Sequence, residues 1–283
     1  MSCYICNEQR LKRKILIHEI SRYTGEAYPL YRCTNCGFIR PVPLPYRESS
    51  KLAIYDNPEN IRFFDAENKR IDEKDKEYIY YFRHFSPYIE LVKKYKIRGK
   101  MLDVGCGAGH LMILLERYGM KAEGQEISPE LVTALKKRFI VHGHEINKMK
   151  KRNYDLITFN QVLEHIEDPR KFLKSVNLLL KNEGYIIFAV PYLYGLIPNV
   201  LRSYWYGLGY GQHLNFFSKD SISRLFNDTG FELKEFKVLS VDYAHPNFPA
   251  PVNALARAIM WLTIKLGVGD NLFVVARKKE VKA

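Results

Sequence analysis

From residue 99 to residue 277 short apolar runs alternate with segments of helical periodicity, and this alternation constrains the fold more than any other feature of the chain. Strands are read at 100–104, 121–125, 139–142, 154–160 and 184–191, with helices at 111–118, 130–138 and 169–180 between them. Beyond them lie a helix at 221–227, capped by Ser218 and closed by Gly230, a strand at 231–239, an apolar helix at 254–266 and a last strand at 271–277. Strands joined through helices run parallel, and a parallel sheet needs cover on both faces. The expectation is an α/β fold with a mostly parallel seven-stranded sheet and helices on both faces.

A small unit precedes it. Cys3-x-x-Cys6 and Cys33-x-x-Cys36 are two turns that each aim a pair of sulfurs at one point, and together they make a tetrahedral thiolate set for structural Zn²⁺. Gly37 is read as letting the backbone curl so that its N–H groups face the sulfurs. Short strands at 14–20 and 27–32 make residues 1–45 a zinc ribbon or knuckle, which leaves through Pro41-Val42-Pro43-Leu44-Pro45. Residues 46–98 form a linker and a helical cap, residues 99–283 the main domain. In the cap, Tyr78, Tyr81, Phe82, Phe85, Ile89 and Val92 fall at helical spacing over 74–95, with Pro87 expected to divide the helix.

The 283 residues are 47% apolar and 27% charged, enough for a large core and too apolar for a disordered chain. The formal net charge of +13 suits nucleic acid, anionic lipid or phosphorylated acceptors, and equally a lysine-rich surface. The sequence shows no apolar leader and no run of about 18 apolar residues, so cytoplasmic residence is the expectation. The stretch 251–268 comes nearest; it reads as a core helix, with a membrane-surface helix as the other reading.

The first strand runs into Leu102-Asp103-Val104-Gly105-Cys106-Gly107-Ala108-Gly109. Gly105 permits the tight turn, and Gly107 lets a ligand approach backbone with no Cβ in the way. Glu126, at the tip of the next strand, is placed to accept hydrogen bonds from ribose hydroxyls. Cys106 is read as a small filler of the loop.

The segment resembles the first motif of class I S-adenosylmethionine-dependent methyltransferases. Gln125-Glu126-Ile127-Ser128-Pro129-Glu130, Tyr154-Asp155-Leu156-Ile157, Val162-Leu163-Glu164-His165-Ile166 and the strand at 184–191 resemble later parts of the same Rossmann-like family. The resemblance implies that Asp103, Gly105 and Gly107 line the methionine end of S-adenosylmethionine, with Cys106 counted among the cofactor-binding residues of the same loop. It implies that Glu126 binds the ribose, Ile127 packs on the adenine, and Asn160 and Gln161 stand near the sulfonium. An Asp that many relatives carry after the third strand is missing, which leaves His144 or Glu145 for the adenine amine.

Methyl transfer to oxygen benefits from a general base. Gly211-Gln212-His213-Leu214-Asn215-Phe216-Phe217-Ser218 resembles a segment of methyltransferases from small-molecule, sugar and cell-envelope pathways, and makes His213 the candidate base. The other reading has His213 pinning the insertion at 191–217. Tyr192, Tyr194, Tyr204, Trp205, Tyr206 and Tyr210 there suit a lid with stacking surfaces, or a local core. The cysteine unit also resembles that of sugar C-methyltransferases, whose additional C-terminal domain has no counterpart here.

The expected function is methylation, chiefly at oxygen, of a small molecule, sugar or lipid-linked glycan, with peripheral membrane contact as a further expectation. RNA methylation, with knuckle and basic surface holding phosphates, is the alternative. A non-catalytic cofactor-binding module is the third reading. The oligomeric state is not legible.

Overall fold

The computed structural model describes residues 2–20, 27–42, 44, 76–150, 152–240 and 249–280. The expected linker at 46–70, the start of the cap helix at 74–75 and the side chains of Tyr78, Tyr206 and Tyr210 lie outside the described residues.

The main sheet contains β4 (Gly99–Val104), β5 (Met120–Gln125), β6 (Ile140–His142), β7 (Tyr154–Asn160), β8 (Leu180–Pro191), β9 (Phe231–Leu239) and β10 (Asn271–Lys278). Their order is β6-β5-β4-β7-β8-β10-β9, with β10 antiparallel to both neighbours and the first five strands parallel. The chain winds outward from β4 to β6 and then restarts on the other side at β7. The crevice at this switch in direction is where open α/β sheets bind ligands.

Alternation along each strand splits the core into two layers. Leu102, Val104, Ile157, Phe159, Phe188 and Val274 point to one face. There they meet α4 (Pro169–Leu179) and α6 (Lys219–Asp228) through Phe172, Val176, Ile222 and Phe226. Met101, Leu156, Ile187, Phe273 and Val275 point to the other face. They meet α1 (Lys76–Lys94) and α2 (His110–Glu116) through Tyr88, Val92, Leu111 and Leu115. α3 (Pro129–Leu135) is capped by Ser128, whose hydroxyl accepts the Leu131 N–H.

Pro87 does not divide α1, contrary to expectation: the helix runs through it. Proline removes the N–H that would bond the Arg83 carbonyl, and the Ser86 hydroxyl donates to that carbonyl instead at 2.9 Å.

The cysteine unit is a three-stranded antiparallel ribbon of β1 (Leu11–Ile20), β2 (Ala27–Cys33) and β3 (Ile39–Pro41). β3 takes the start of what reads as a linker, because the Ile39 N–H and carbonyl both bond Phe216. The ribbon shares a core with the main domain. Phe38 packs on Phe217 at 5.4 Å, and the Ser218 hydroxyl donates to the Cys36 carbonyl. The Arg170 guanidinium donates to the Ile5 carbonyl and that of Arg40 to the Glu167 carbonyl. The Gly37 N–H turns to the Cys33 carbonyl at 3.2 Å, while the backbone at Asn35, Cys36 and Phe38 bonds the Cys33 and Cys36 sulfurs.

The insertion after β8 is both core and surface. Trp205 is fully buried, its indole N–H on Asp270 at 3.0 Å, and packs in one cluster with Leu30, Ile39, Leu193, Leu208 and Phe216. Within the insertion, α5 (Leu196–Leu201) turns Val200 outward at 68% exposure. The apolar helix α7 (Ala250–Lys265) is not core, contrary to expectation: Leu255 is 63% and Trp261 62% exposed. α7 lies in the chain between the edge strand β9 and its neighbour β10. It is anchored near its C-terminus, where buried Thr263 shares a hydrogen bond with Ser240.

Candidate functional site

The glycine turn follows from the strand register. β4 lies between β5 and β7, so its C-terminal end emerges at the centre of the sheet. Gly105 and Gly107 sit at φ +64° and +51°, in the left-handed region that favours glycine. A Cβ on Gly105 would come within 2.7 Å of Val162, whereas one on Gly107 would enter open space. Gly105 therefore answers to packing, and Gly107 leaves its backbone open to a ligand.

The turn opens on a cleft of about 180 Å³. Asp103, Gly105, Cys106, Gly107 and Asn160, all singled out in the sequence, line it together. Phe85, Ala108, His110 and Leu111 complete the wall and were not singled out as site residues. For Phe85 and His110 the only local signal is their aromatic character. The approach of α1 brings Tyr81 onto His110, ring centroids 3.7 Å apart, and burial lowers the His110 pKa to about 4.

Asp103 is buried, and burial raises its pKa to about 7 against the hydrogen bond from Thr158 at 2.7 Å. A carboxylate in that setting is matched to a cationic group in the cleft. The Glu126 carboxylate, also buried, accepts the backbone N–H groups of Gly107 at 2.9 Å, Ile127 at 2.7 Å and Ser128 at 3.0 Å. It thus ties the tip of β5 to the glycine turn. Asn160 accepts from the Tyr88 hydroxyl at 3.1 Å.

Glu126 is not in the cleft lining itself, and Ile127, Glu145 and Gln161 also stand outside it. Ile127 is half-exposed beside the turn, and Glu145 is exposed past β6, as is His144. Gln161, at φ +54°, turns its amide to Asn271 at 3.1 Å. Cys106 packs with Met112, Val132, Leu135 and Val141, and burial pushes its thiol well up.

His213 lies with Glu164 and His165, and each of the three offers a ligand atom within 4.8 Å of the others. Its Nδ1 bonds the Gly207 carbonyl at 2.8 Å, which pins the insertion. Glu164 is fully buried and its pKa is raised to about 8 by burial; it was not singled out, because a Glu beside an apolar run carries no mark of its burial.

The four N-terminal cysteines converge without a disulfide. Cys3–Cys36 and Cys6–Cys33 sulfurs are 3.6 Å apart. Bonds of about 2.3 Å to a tetrahedral zinc place sulfurs roughly 3.8 Å apart, so the donor set fits that ion.

A seven-stranded sheet with one antiparallel strand, and a glycine turn and buried carboxylates at its switch point, define a Rossmann-like nucleoside-binding fold of the methyltransferase type. The chain belongs to the methyltransferase domain family, whose match spans residues 72–235. Ubiquinone biosynthesis O-methyltransferase from Coxiella burnetii (strain Dugway 5J108-111) is 29% identical over 126 residues, 39% of this chain and 53% of that protein. The protein of the same name from Nitrosomonas europaea is 27% identical over 113 residues, 34% of this chain and 48% of that one. The chain thus spans about half the length of these curated relatives. A structure of a complex between the Haloferax volcanii Trm112 methyltransferase activator and a methyltransferase is similar in fold, with TM-score 0.53 and 18% identity. That match covers 71% of this chain and 92% of the other.

Proposed function

We propose that the protein transfers a methyl group from S-adenosylmethionine to an oxygen of a small-molecule, sugar or lipid-linked glycan acceptor. The observation that carries the cofactor assignment is the cleft over Gly107, flanked by buried Asp103. The cofactor supplies an electrophilic methyl group when bound. Asp103 holds its ammonium end, and Gly105, Cys106 and Gly107 shape the cradle. Glu126 serves the ribose and Ile127 the adenine, with Glu145 or His144 at the adenine rim. Asn160 and Gln161 stand on the sulfonium side and His213 on the acceptor side. The relatives named for O-methylation support oxygen as the acceptor atom.

A lipid-associated acceptor is favoured by the surface of α7. Among the described residues no helix is long and apolar enough to cross a membrane. α7 exposes Leu255, Ile259, Trp261 and Leu262, and its only charged residues are Arg257 and Lys265. Such a surface suits anionic bilayer headgroups. It leads into β10, whose first residue Asn271 holds Gln161, so the bilayer side and the cleft share one end of the sheet. The four cysteines hold a structural Zn²⁺, with no position left open for chemistry.

A labelled-methyl transfer assay over host extract tests the reading, with lipid, glycan, metabolite and RNA fractions counted separately. Cofactor-dependent label in lipid or glycan is the expected result. Label confined to RNA replaces the acceptor, and a flat cofactor titration removes the catalytic reading altogether.

A further inference from the structure

Residues 93–152 carry fourteen Lys and Arg against six Asp and Glu, so most of the +13 net charge of the chain falls in this one segment. Its winding separates the two signs. β4, β5 and β6 run parallel toward the cleft and the helices between them run back, so strand starts and helix ends gather at the opposite pole of the sheet. Asp103, Glu126, Glu130 and Glu145 all fall near strand ends on the cleft side, and Glu123 is buried. Among the described residues of the segment, the one acidic side chain that reaches solvent at the opposite pole is Glu116, and Arg138 holds it at 3.1 Å.

The rest of that pole is cationic. Exposed Lys96 and Arg98 lead from α1 into β4, and exposed Lys136 and Lys137 follow α3. Cations at helix ends offset the carbonyl dipoles there, which accounts for some of them. Lys100 and Lys121 have no such reason. They sit at strand starts, paired in register across β4 and β5, and both are exposed. Paired residues of neighbouring strands share a face about 4.8 Å apart, and like charges so placed repel. Among the described residues neither ammonium is held in an ion pair; Asp155, beside Lys100, is engaged by the Lys181 ammonium at 2.6 Å and the Lys100 backbone N–H at 2.8 Å. On the far half of the sheet the charges cancel: Lys94 holds Glu235, Lys234 holds Glu232 and Arg277 holds Glu183. An uncompensated row of cations on rigid strands is the electrostatic footprint of a polyanion.

A bilayer does not suit this pole. Lipid docking uses apolar side chains among the cations, and on β4, β5 and β6 the one exposed large hydrophobic is Ile140. The exposed apolar helix α7 is tied by Thr263 to Ser240, at the end of β9 that pairs beside the cleft-side end of β8. It therefore belongs to the other end of the sheet.

We propose that the pole formed by the starts of β4, β5 and β6 binds the phosphate backbone of a nucleic acid, without reading its sequence. Lys100 and Lys121, with Lys136 and Lys137 beyond them, meet the phosphates and displace their counterions, whose release drives binding at low salt. The surface is an anchor and not an acceptor site. Five residues of β4 separate Lys100 from Gly105, about 17 Å at the rise of a strand, so a backbone held at the pole lies away from the glycine turn. The inference stands apart from the methyl-transfer reading: binding is measured without cofactor or turnover, so failure of one leaves the other standing.

The test is fluorescence anisotropy of the full chain against a labelled RNA of about 20 nucleotides and a DNA duplex of about 20 base pairs, over a KCl series. At least one is expected to bind, with affinity falling steeply as salt rises, and the stronger of the two names the nucleic acid. Lys100→Gln/Lys121→Gln should weaken binding about tenfold and flatten the slope of log affinity on log salt by roughly 1.4 to 1.8. Both positions are exposed, so this variant should fold, with a melting temperature at or above that of the wild type once the repulsion is gone. Lys174→Gln/Lys219→Gln removes the same charge from exposed positions on α4 and α6 and should bind as the wild type does, as should Gly107→Val. No binding of either probe, equal loss in the two lysine pairs, or an unchanged affinity in Lys100→Gln/Lys121→Gln overturns the proposal. So does capture by phosphatidylglycerol vesicles or by poly-glutamate that depends on Lys100 and Lys121 while neither nucleic acid binds.

Discussion

The Glu126 carboxylate accepts the Gly107 backbone N–H at 2.9 Å, so the residue that grips the ribose in the proposed complex already braces the turn beneath it. Glu126→Ala removes three charge-assisted hydrogen bonds from the turn together with the ribose contact. Cofactor affinity should fall by about 1–3 kcal/mol, read by calorimetric titration. Unchanged affinity would separate Glu126 from the site.

Gly107→Val adds a branched side chain at φ +51° in the open space of the cleft. Binding should be lost by more than 100-fold while the melting temperature drops by only a few degrees, because no protein atom lies within 4 Å of the added Cβ. A variant that still binds cofactor normally would show that the ligand does not cross this turn.

Asp103 sets a pH dependence. Its folded pKa is raised to about 7 by burial, above an unfolded value of about 3.9. The stability it contributes is complete below the unfolded pKa and is lost as pH rises through the folded one. The cofactor-free protein should therefore lose stability between about pH 4 and 7, by a few kcal/mol at most, and Asp103→Asn should flatten that slope. Affinity for a cationic ligand should rise over the same window as Asp103 ionises. Parallel melting curves for wild type and Asp103→Asn would contradict the assignment.

Cys36 carries a sulfur of the tetrad and the carbonyl that receives the Ser218 hydroxyl, the N-cap of α6. Cys36→Ser should remove the tetrad zinc and lower the melting temperature of the whole chain, not of the ribbon alone, since Phe38 and Phe217 share one core. Two separate transitions in calorimetry would instead make the ribbon an independent unit.

On α7, Trp261→Glu should abolish binding to vesicles containing phosphatidylglycerol and leave stability within about 0.5 kcal/mol, as for other exposed positions. Sedimentation equal to wild type would dissociate this helix from lipid.

Much of the fold was legible because it is written in local spacing. The alternation of apolar runs marked all seven strands of the main sheet, and their ends differ by a few residues where turns were read short, as in β8, which begins at Leu180. Pro87 misled because the bond from the Ser86 hydroxyl to the Arg83 carbonyl, local though it is, leaves no mark in the apolar pattern. α7 misled because an apolar helix looks the same in sequence whether a core or a solvent-facing surface receives it.

The glycine turn and the cysteine pairs are determined by the sequence alone, since each joins residues a few positions apart whose backbone freedom and sulfur chemistry act locally. The grouping of Glu164 with His213 is decided only in three dimensions. The Leu214 and Asn215 N–H groups bond the Glu164 carbonyl at 2.7 and 3.1 Å, drawing the end of the insertion back against the loop after β7. No spacing rule connects residues so far apart in the chain, because their meeting depends on how the intervening strand and helices pack.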